Sequence, residues 1–232
     1  VITLAIETSV KQGGCCLLQD GQPVAERVFS ETETASELLI ASIGEMLTDN
    51  LYGFNSIDRV VVGAGPGSFT GLRVGMIAAK TIAYFLDKPL HLIPSLDVLA
   101  GAQCSQPLPV VTIQNAYRNE VYSAWYRTTP QLIRISMYQV CDVRLIEVPD
   151  EPFIVTGDGL ELYKEIIQNR FGDRCLLSKS EEWIPQAACA DRLADLGVYP
   201  VLKRLDIFTA VPQYIRKSEA EIKWDLTHNA ES

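Results

Sequence analysis

The sequence predicts an α/β protein of two lobes, each a mixed β-sheet flanked by helices. Three observations predict it. The first hundred residues change period in the order strand, strand, strand, helix, strand, helix, strand. The second half repeats that order in a degraded form. The chain has 232 residues, 47% hydrophobic and 21% charged, which is enough apolar material for a core without disulfide or metal staples.

Residues 2–6 are almost wholly apolar, as a buried central strand requires, and meet an acid at Glu7. A second run covers 13–19. Asp20-Gly21 behind it is a hairpin signal, so 23–29 is a third strand. From Ser36 the spacing turns helical through Leu38, Leu39, Ile40, Ile43, Met46 and Leu47, and closes near 50–53. Val60-Val61-Val62 centres a fourth strand over 59–63. A glycine-rich loop opens a helix over 70–86, and a short strand follows at 90–93. An antiparallel hairpin feeding strands joined by helical crossovers matches one half of an actin-like, ribonuclease-H-like fold.

The second half reads as a worn copy. Strands are expected over 109–114, 120–126 and 153–155, with weaker ones over 133–140 and 144–148. A helix over 160–169, a short strand over 174–177 and a helix over 185–196 complete it. Residues 102–107 read as a linker. The chain then divides into an N-terminal lobe (1–103), a second lobe (104–216) and a polar tail (217–232), expected to be mobile or to dock late.

Composition excludes several functions. The formal charge is −9, from 29 acidic and 20 basic residues, so the chain is a poor candidate for gripping nucleic acid by itself. Only two histidines are present, His91 and His228, which leaves no basis for a histidine-rich metal site and a thin one for a Ser-His-Asp centre. No metal ligand is therefore named, and His91 reads as structural. The six cysteines form no Cys-x-x-Cys pair and read as small buried hydrophobes of a reducing compartment. The N-terminal run lacks a basic leader, and no apolar run reaches the ~18–20 residues of a membrane span. A soluble cytoplasmic protein is expected.

The segment most able to carry chemistry is Gly63-Ala64-Gly65-Pro66-Gly67-Ser68-Phe69-Thr70-Gly71-Leu72-Arg73. It is either a plain strand-to-helix turn or an anion site at a helix N-terminus. It lacks the Lys of a P-loop and the spacing of a dinucleotide fingerprint. The helix behind it is apolar nearly all round and carries Gly71, Gly75, Ala79 and Ala83 at every fourth position. That stripe admits another backbone, from its own sheet or from a partner helix. In actin-like folds the first hairpin holds phosphate and metal through an Asp. Here Glu7, Thr8 and Ser9 stand there, one methylene longer at the acid.

These motifs resemble the bacterial TsaB (YeaZ) family of tRNA threonylcarbamoyladenosine biosynthesis. The closest match is the run from Gly65 through Pro66, Gly67, Ser68, Phe69, Thr70, Gly71 and Leu72 to Arg73. Ser36-Glu37, Ser95-Leu96, Gly157-Asp158-Gly159, Tyr214-Ile215-Arg216 and the segment holding Arg118, Glu120 and Tyr122 are also similar. Departures are Glu7 for Asp, Ala35 for His, Ala41 for Pro, and Tyr117 and Asn119 for Arg and Gly.

The resemblance implies a non-catalytic scaffold. Such a subunit activates its paralogue TsaD, which transfers a threonylcarbamoyl group to the adenosine beside the tRNA anticodon. The implied interface is the helix pair over 36–49 and 70–86, through Leu39, Ile43, Met46, Gly71, Leu72, Arg73, Gly75, Met76, Ala79 and Ala83. The same pair would make a homodimer of the isolated chain. The ATPase TsaE is implied as a third partner, tRNA is reached only through the complex, and ATP or ADP would sit at the contact with TsaD near Glu7 or Ser9. The alternative is an independent actin-like ATP-binding hydrolase or kinase, with Glu7 orienting a metal and 67–71 cradling phosphate.

Overall fold

The computed structural model describes residues 1–30 and 32–216. The tail expected over 217–232 lies outside the described residues, as do Trp224 and His228. The first half runs β1 (Ile2–Glu7), β2 (Gly14–Gln19), β3 (Gln22–Val28), α1 (Ala35–Asp49), β4 (Arg59–Gly63), α2 (Phe69–Phe85), β5 (Leu90–Ile93) and α3 (Ser95–Gly101). Four strands follow, β6 (Val110–Asn115), β7 (Glu120–Arg127), β8 (Ile133–Arg134) and β9 (Gln139–Asp142). The chain continues through β10 (Phe153–Thr156), α4 (Gly159–Phe171), β11 (Cys175–Leu177), α5 (Ala187–Ala194) and β12 (Val201–Leu202).

Two six-stranded sheets result. The first has the order β12-β5-β4-β1-β2-β3, with β1, β4 and β5 parallel and β2 antiparallel between β1 and β3. The second has the order β11-β10-β6-β7-β8, with β9 also on β7. Here β6, β10 and β11 are parallel and β7 is antiparallel to β6. The two sheets therefore share one plan, the actin-like plan expected from the element order.

β1 is buried on both faces, which explains its unbroken apolar run. Leu4 and Ile6 enter a core with Leu39, Ile43, Leu47, Met76, Ala79 and Ala83 of α1 and α2. Ala5 faces the other way, onto Ala187, Ala190, Leu193 and Ala194 of α5. The helix expected over 185–196 thus forms, but it covers the first sheet instead of completing the second. Its small residues let it lie close to Cys16, Leu18 and Val61. Arg59 pins it there: Nε donates to Thr3 Oγ1 (2.8 Å) and Nη2 to the fully buried Asp191 (2.6 Å), while Nη1 pairs with Asp195.

Other expectations change in detail. The strand expected over 133–140 splits into β8 and β9, because Ile135 and Ser136 both direct their N–H to the Trp125 carbonyl and open a bulge. The strand expected over 144–148 is replaced at its start by a helical turn over Val143–Leu145, capped by Asp142 accepting from Arg144 N (2.8 Å). Helix α3 is not legible in the sequence, since all seven of its residues are buried and leave no amphipathic period. Cys15, Cys16, Cys175 and Cys189 are buried as expected, but Cys104 is exposed.

Candidate functional site

The glycine-rich loop leaves β4 and enters α2 against the end of β1. Ser68 caps α2 by accepting from Gly71 N (3.3 Å), and its own N–H donates to Ser9 O (2.7 Å). Thr8 Oγ1 donates to Gly71 O (2.8 Å). A Cβ at Gly71 would overlap the Thr8 carbonyl, and one at Gly75 the Thr8 hydroxyl. The small-residue stripe is therefore the place where α2 meets the tip of β1 in its own lobe.

This corrects the interface expected from the stripe. Leu72, Gly75, Met76, Ala79 and Ala83 are buried inside the lobe, together with Leu39, Ile43 and Met46 of α1. Of the implied interface residues, Arg73 alone is exposed, and Gly71 is half-buried. The solvent face of α2 carries Arg73, Ile77, Thr81, Tyr84 and Phe85, with Ile77 64% and Phe85 80% exposed. On α1 the exposed positions include Ile40 and Glu45. A helical turn over Arg204–Thr209, unseen in the sequence, extends this face. Phe208 stacks on Tyr84 with ring centroids 4.8 Å apart, and Lys80 Nζ donates to Phe208 O (3.1 Å) and Ala210 O (2.9 Å).

The Phe69–Arg73 end of the motif holds the last described residues. The Arg73 guanidinium lies 3.8 Å from the centroid of the Phe69 ring, and its Nε donates to Tyr214 OH (3.2 Å). Phe69 and Tyr214 have ring centroids 5.0 Å apart. Arg216 then crosses to the second lobe, donating to Ala116 O (2.7 Å) and pairing with Glu120 at 3.2 Å. A groove of about 260 Å³ lies between these pieces, lined by 67–70, 115–118, Tyr122 and 213–216. Tyr117, Arg118 and Asn119 turn the β6–β7 loop with φ of 59°, 58° and 65°. Asn tolerates that left-handed conformation better than most residues, which fits its standing where the resembled family has Gly.

Glu7 faces inward. Its Oε1 accepts from Ser9 N (2.7 Å) and its Oε2 from Ser95 Oγ (3.0 Å), while Ser95 Oγ accepts from Gly65 N (3.2 Å). The longer acid fits because Gly63 has no side chain to contest the space. Burial pushes the Glu7 carboxyl above its ordinary pKa, against the opposing pull of the Ser9 and Ser95 hydrogen bonds. Ser9 O also accepts from Gln114 Nε2 of the second lobe (3.2 Å). Beside Ser9 is a cleft of about 210 Å³ that holds Lys11 but also Asp158 and Glu161. Two carboxyl groups thus stand against one lysine in this cleft, and the Glu7 oxygens are turned away from it into the chain. Asp158 Oδ1 accepts from Asn115 N (2.9 Å), and burial raises its pKa to about 7.

Among the described residues no group of three or more His, Cys, Asp or Glu side chains is placed to hold a metal, and no helix is long and apolar enough to cross a membrane. His91 sits half-buried on β5, its backbone in register between Val61 and Val201.

Residues 30–224 match the sequence model of TsaD, tRNA N6-adenosine threonylcarbamoyltransferase. The chain is 28% identical over 226 residues to the tRNA threonylcarbamoyladenosine biosynthesis protein TsaB of Bacillus subtilis, covering 95% of this chain and 96% of that protein. It is 35% identical over 106 residues to the tRNA N6-adenosine threonylcarbamoyltransferase of Clostridioides difficile, a match to 31% of that protein's length. YeaZ from Pseudomonas aeruginosa has the same fold, with a TM-score of 0.74 at 21% identity over 92% of this chain and 99% of that one. The chain belongs to the TsaD family, as a member of its TsaB (YeaZ) branch.

Proposed function

We propose that the chain serves tRNA threonylcarbamoyladenosine biosynthesis as a non-catalytic subunit that binds a TsaD-type paralogue. The carrying observation is the apolar face formed by Ile77, Tyr84 and Phe85 of α2 and by Phe208, all at least 41% exposed. Exposed aromatic residues gathered on one face suit a protein partner. The motif residues support the same reading, because Glu7, Ser68, Arg73 and Arg216 are committed to contacts within the chain. TsaE joins through the paralogue, tRNA is met only in the complex, and any ATP or ADP sits at the subunit contact. Free of its paralogue, the chain pairs with itself through the same face.

The test is to mix the purified chain with TsaD and follow assembly by light scattering, with and without ATP. A complex is expected in at least one condition, and Ile77→Asp or Phe85→Asp should abolish it, turning the free chain from dimer to monomer while leaving its far-UV circular dichroism spectrum unchanged. No complex in any condition overturns the proposal. Turnover of ATP by the chain alone, lost in Glu7→Gln, would establish the independent hydrolase instead.

A further inference from the structure

The cavities of this molecule differ in whether their polar groups are already committed. In the groove at 213–216, Arg73 is held by Tyr214, and Arg216 by Glu120 and the Ala116 carbonyl. In the cleft beside Ser9, Asp158 is occupied by Asn115 N. A third cavity, of about 560 Å³, lies between the end of α3, the turn joining β7 to β8, and α5. That volume is within the range of small-molecule sites, which favour junctions between lobes.

Its apolar walls include Leu132, Leu193 and Leu196, and its polar members include Ser105, Gln131 and Arg192. Ser105, Gln131 and Arg192 all reach solvent at the rim of this cavity, and among the described residues Arg192 has no carboxylate partner. The reason for the last is local. The two acids of α5 nearest Arg192 in sequence, Asp191 and Asp195, are both turned to Arg59. The neighbour of Arg192 is the Cys189 thiol, which itself donates to Val98 O (3.3 Å). A solvent-facing guanidinium whose protein contact is the Cys189 thiol, standing at the mouth of a cavity with an apolar wall, complements a ligand with one negative head and an apolar tail.

We infer that this cavity binds a small amphipathic monocarboxylate, its head on Arg192 and its tail against Leu132, Leu193 and Leu196. The inference is independent of the paralogue, so its test uses the free chain. Octanoate is titrated into the ¹⁵N-labelled full chain and followed by amide shifts, with octan-1-ol as the uncharged control. Saturable shifts are expected at 101–105, 128–132 and 189–196. Arg192→Gln should weaken binding about tenfold or more, Arg192→Lys should retain part of it, and octan-1-ol should bind about tenfold more weakly than octanoate. Should Arg192→Gln alter the melt, Leu196→Trp, which fills the cavity from an exposed position, is used and should abolish binding. Absence of saturable shifts, shifts centred on another surface, or affinity indifferent to both variants overturns the inference.

Discussion

Asp158 makes the clearest case for pH dependence at a single residue. Its folded pKa is raised to about 7 by burial, whereas its ordinary value is 3.8. The folded state therefore binds this proton more tightly than the unfolded chain does. Stability from this group is present below pH 4 and is lost as pH rises toward 7. Asp158→Asn keeps an oxygen to accept from Asn115 N and removes the buried charge. At pH 8 it should stabilise the chain by on the order of 1–3 kcal/mol, and at pH 4 by almost nothing, as read from urea unfolding at the two pH values. His91 has the opposite sign. Burial and the nearby Arg59 lower its pKa, so its contribution is present above about pH 6.5 and is lost as pH falls through the lowered folded value.

Two helices separate packing from partner binding. Gly75 faces Thr8, whose hydroxyl is already bound to Gly71 O. Gly75→Ala gains about 1 kcal/mol of helix propensity but costs about 1–3 kcal/mol by overpacking. A net loss in the melting temperature of the free chain is expected. Helix α5 depends on a different contact. Arg59→Ala would leave Asp191 buried without its counter-charge, at a cost of about 3–5 kcal/mol. Hydrogen exchange should then speed up first in α5 and β12, ahead of β1 and β2. The elements themselves were legible where a period was present: Leu39, Ile43 and Met46 announce α1, and Val60 to Val62 announce β4. The address of α5 was not legible, because it is set by a salt bridge to Arg59, 132 positions away. The inward turn of Glu7 was hidden for the same reason, since Gly63 and Ser95 make it and neither is near in sequence.

At the scale of the molecule, the family motif proves to be an internal fastening more than a ligand cradle. The sequence could mark its residues as special without telling which surface they serve, because Arg73 meets Tyr214, 141 positions away, and Phe69 stands against the same ring. The exposed face that remains is set by Ile77, Tyr84 and Phe85, which a helix read as apolar all round does not single out. One feature of that face reaches further. From Phe208 on the outer face, the chain is tied at Ala210 to Lys80, at Gln213 to the Ala64 carbonyl, at Tyr214 to Phe69, and at Arg216 to the β6–β7 loop. Four ties in nine residues leave a tether with almost no slack, drawn from the flank of one lobe to the rim of the other. Whatever grips Phe208 thus holds one end of a taut line whose far end is the Tyr117 turn. With the exposed Cys104 replaced by Ser, a fluorophore at Tyr117→Cys should report a partner that never touches it, and cutting the line with Arg216→Ala should silence that report while leaving the grip intact.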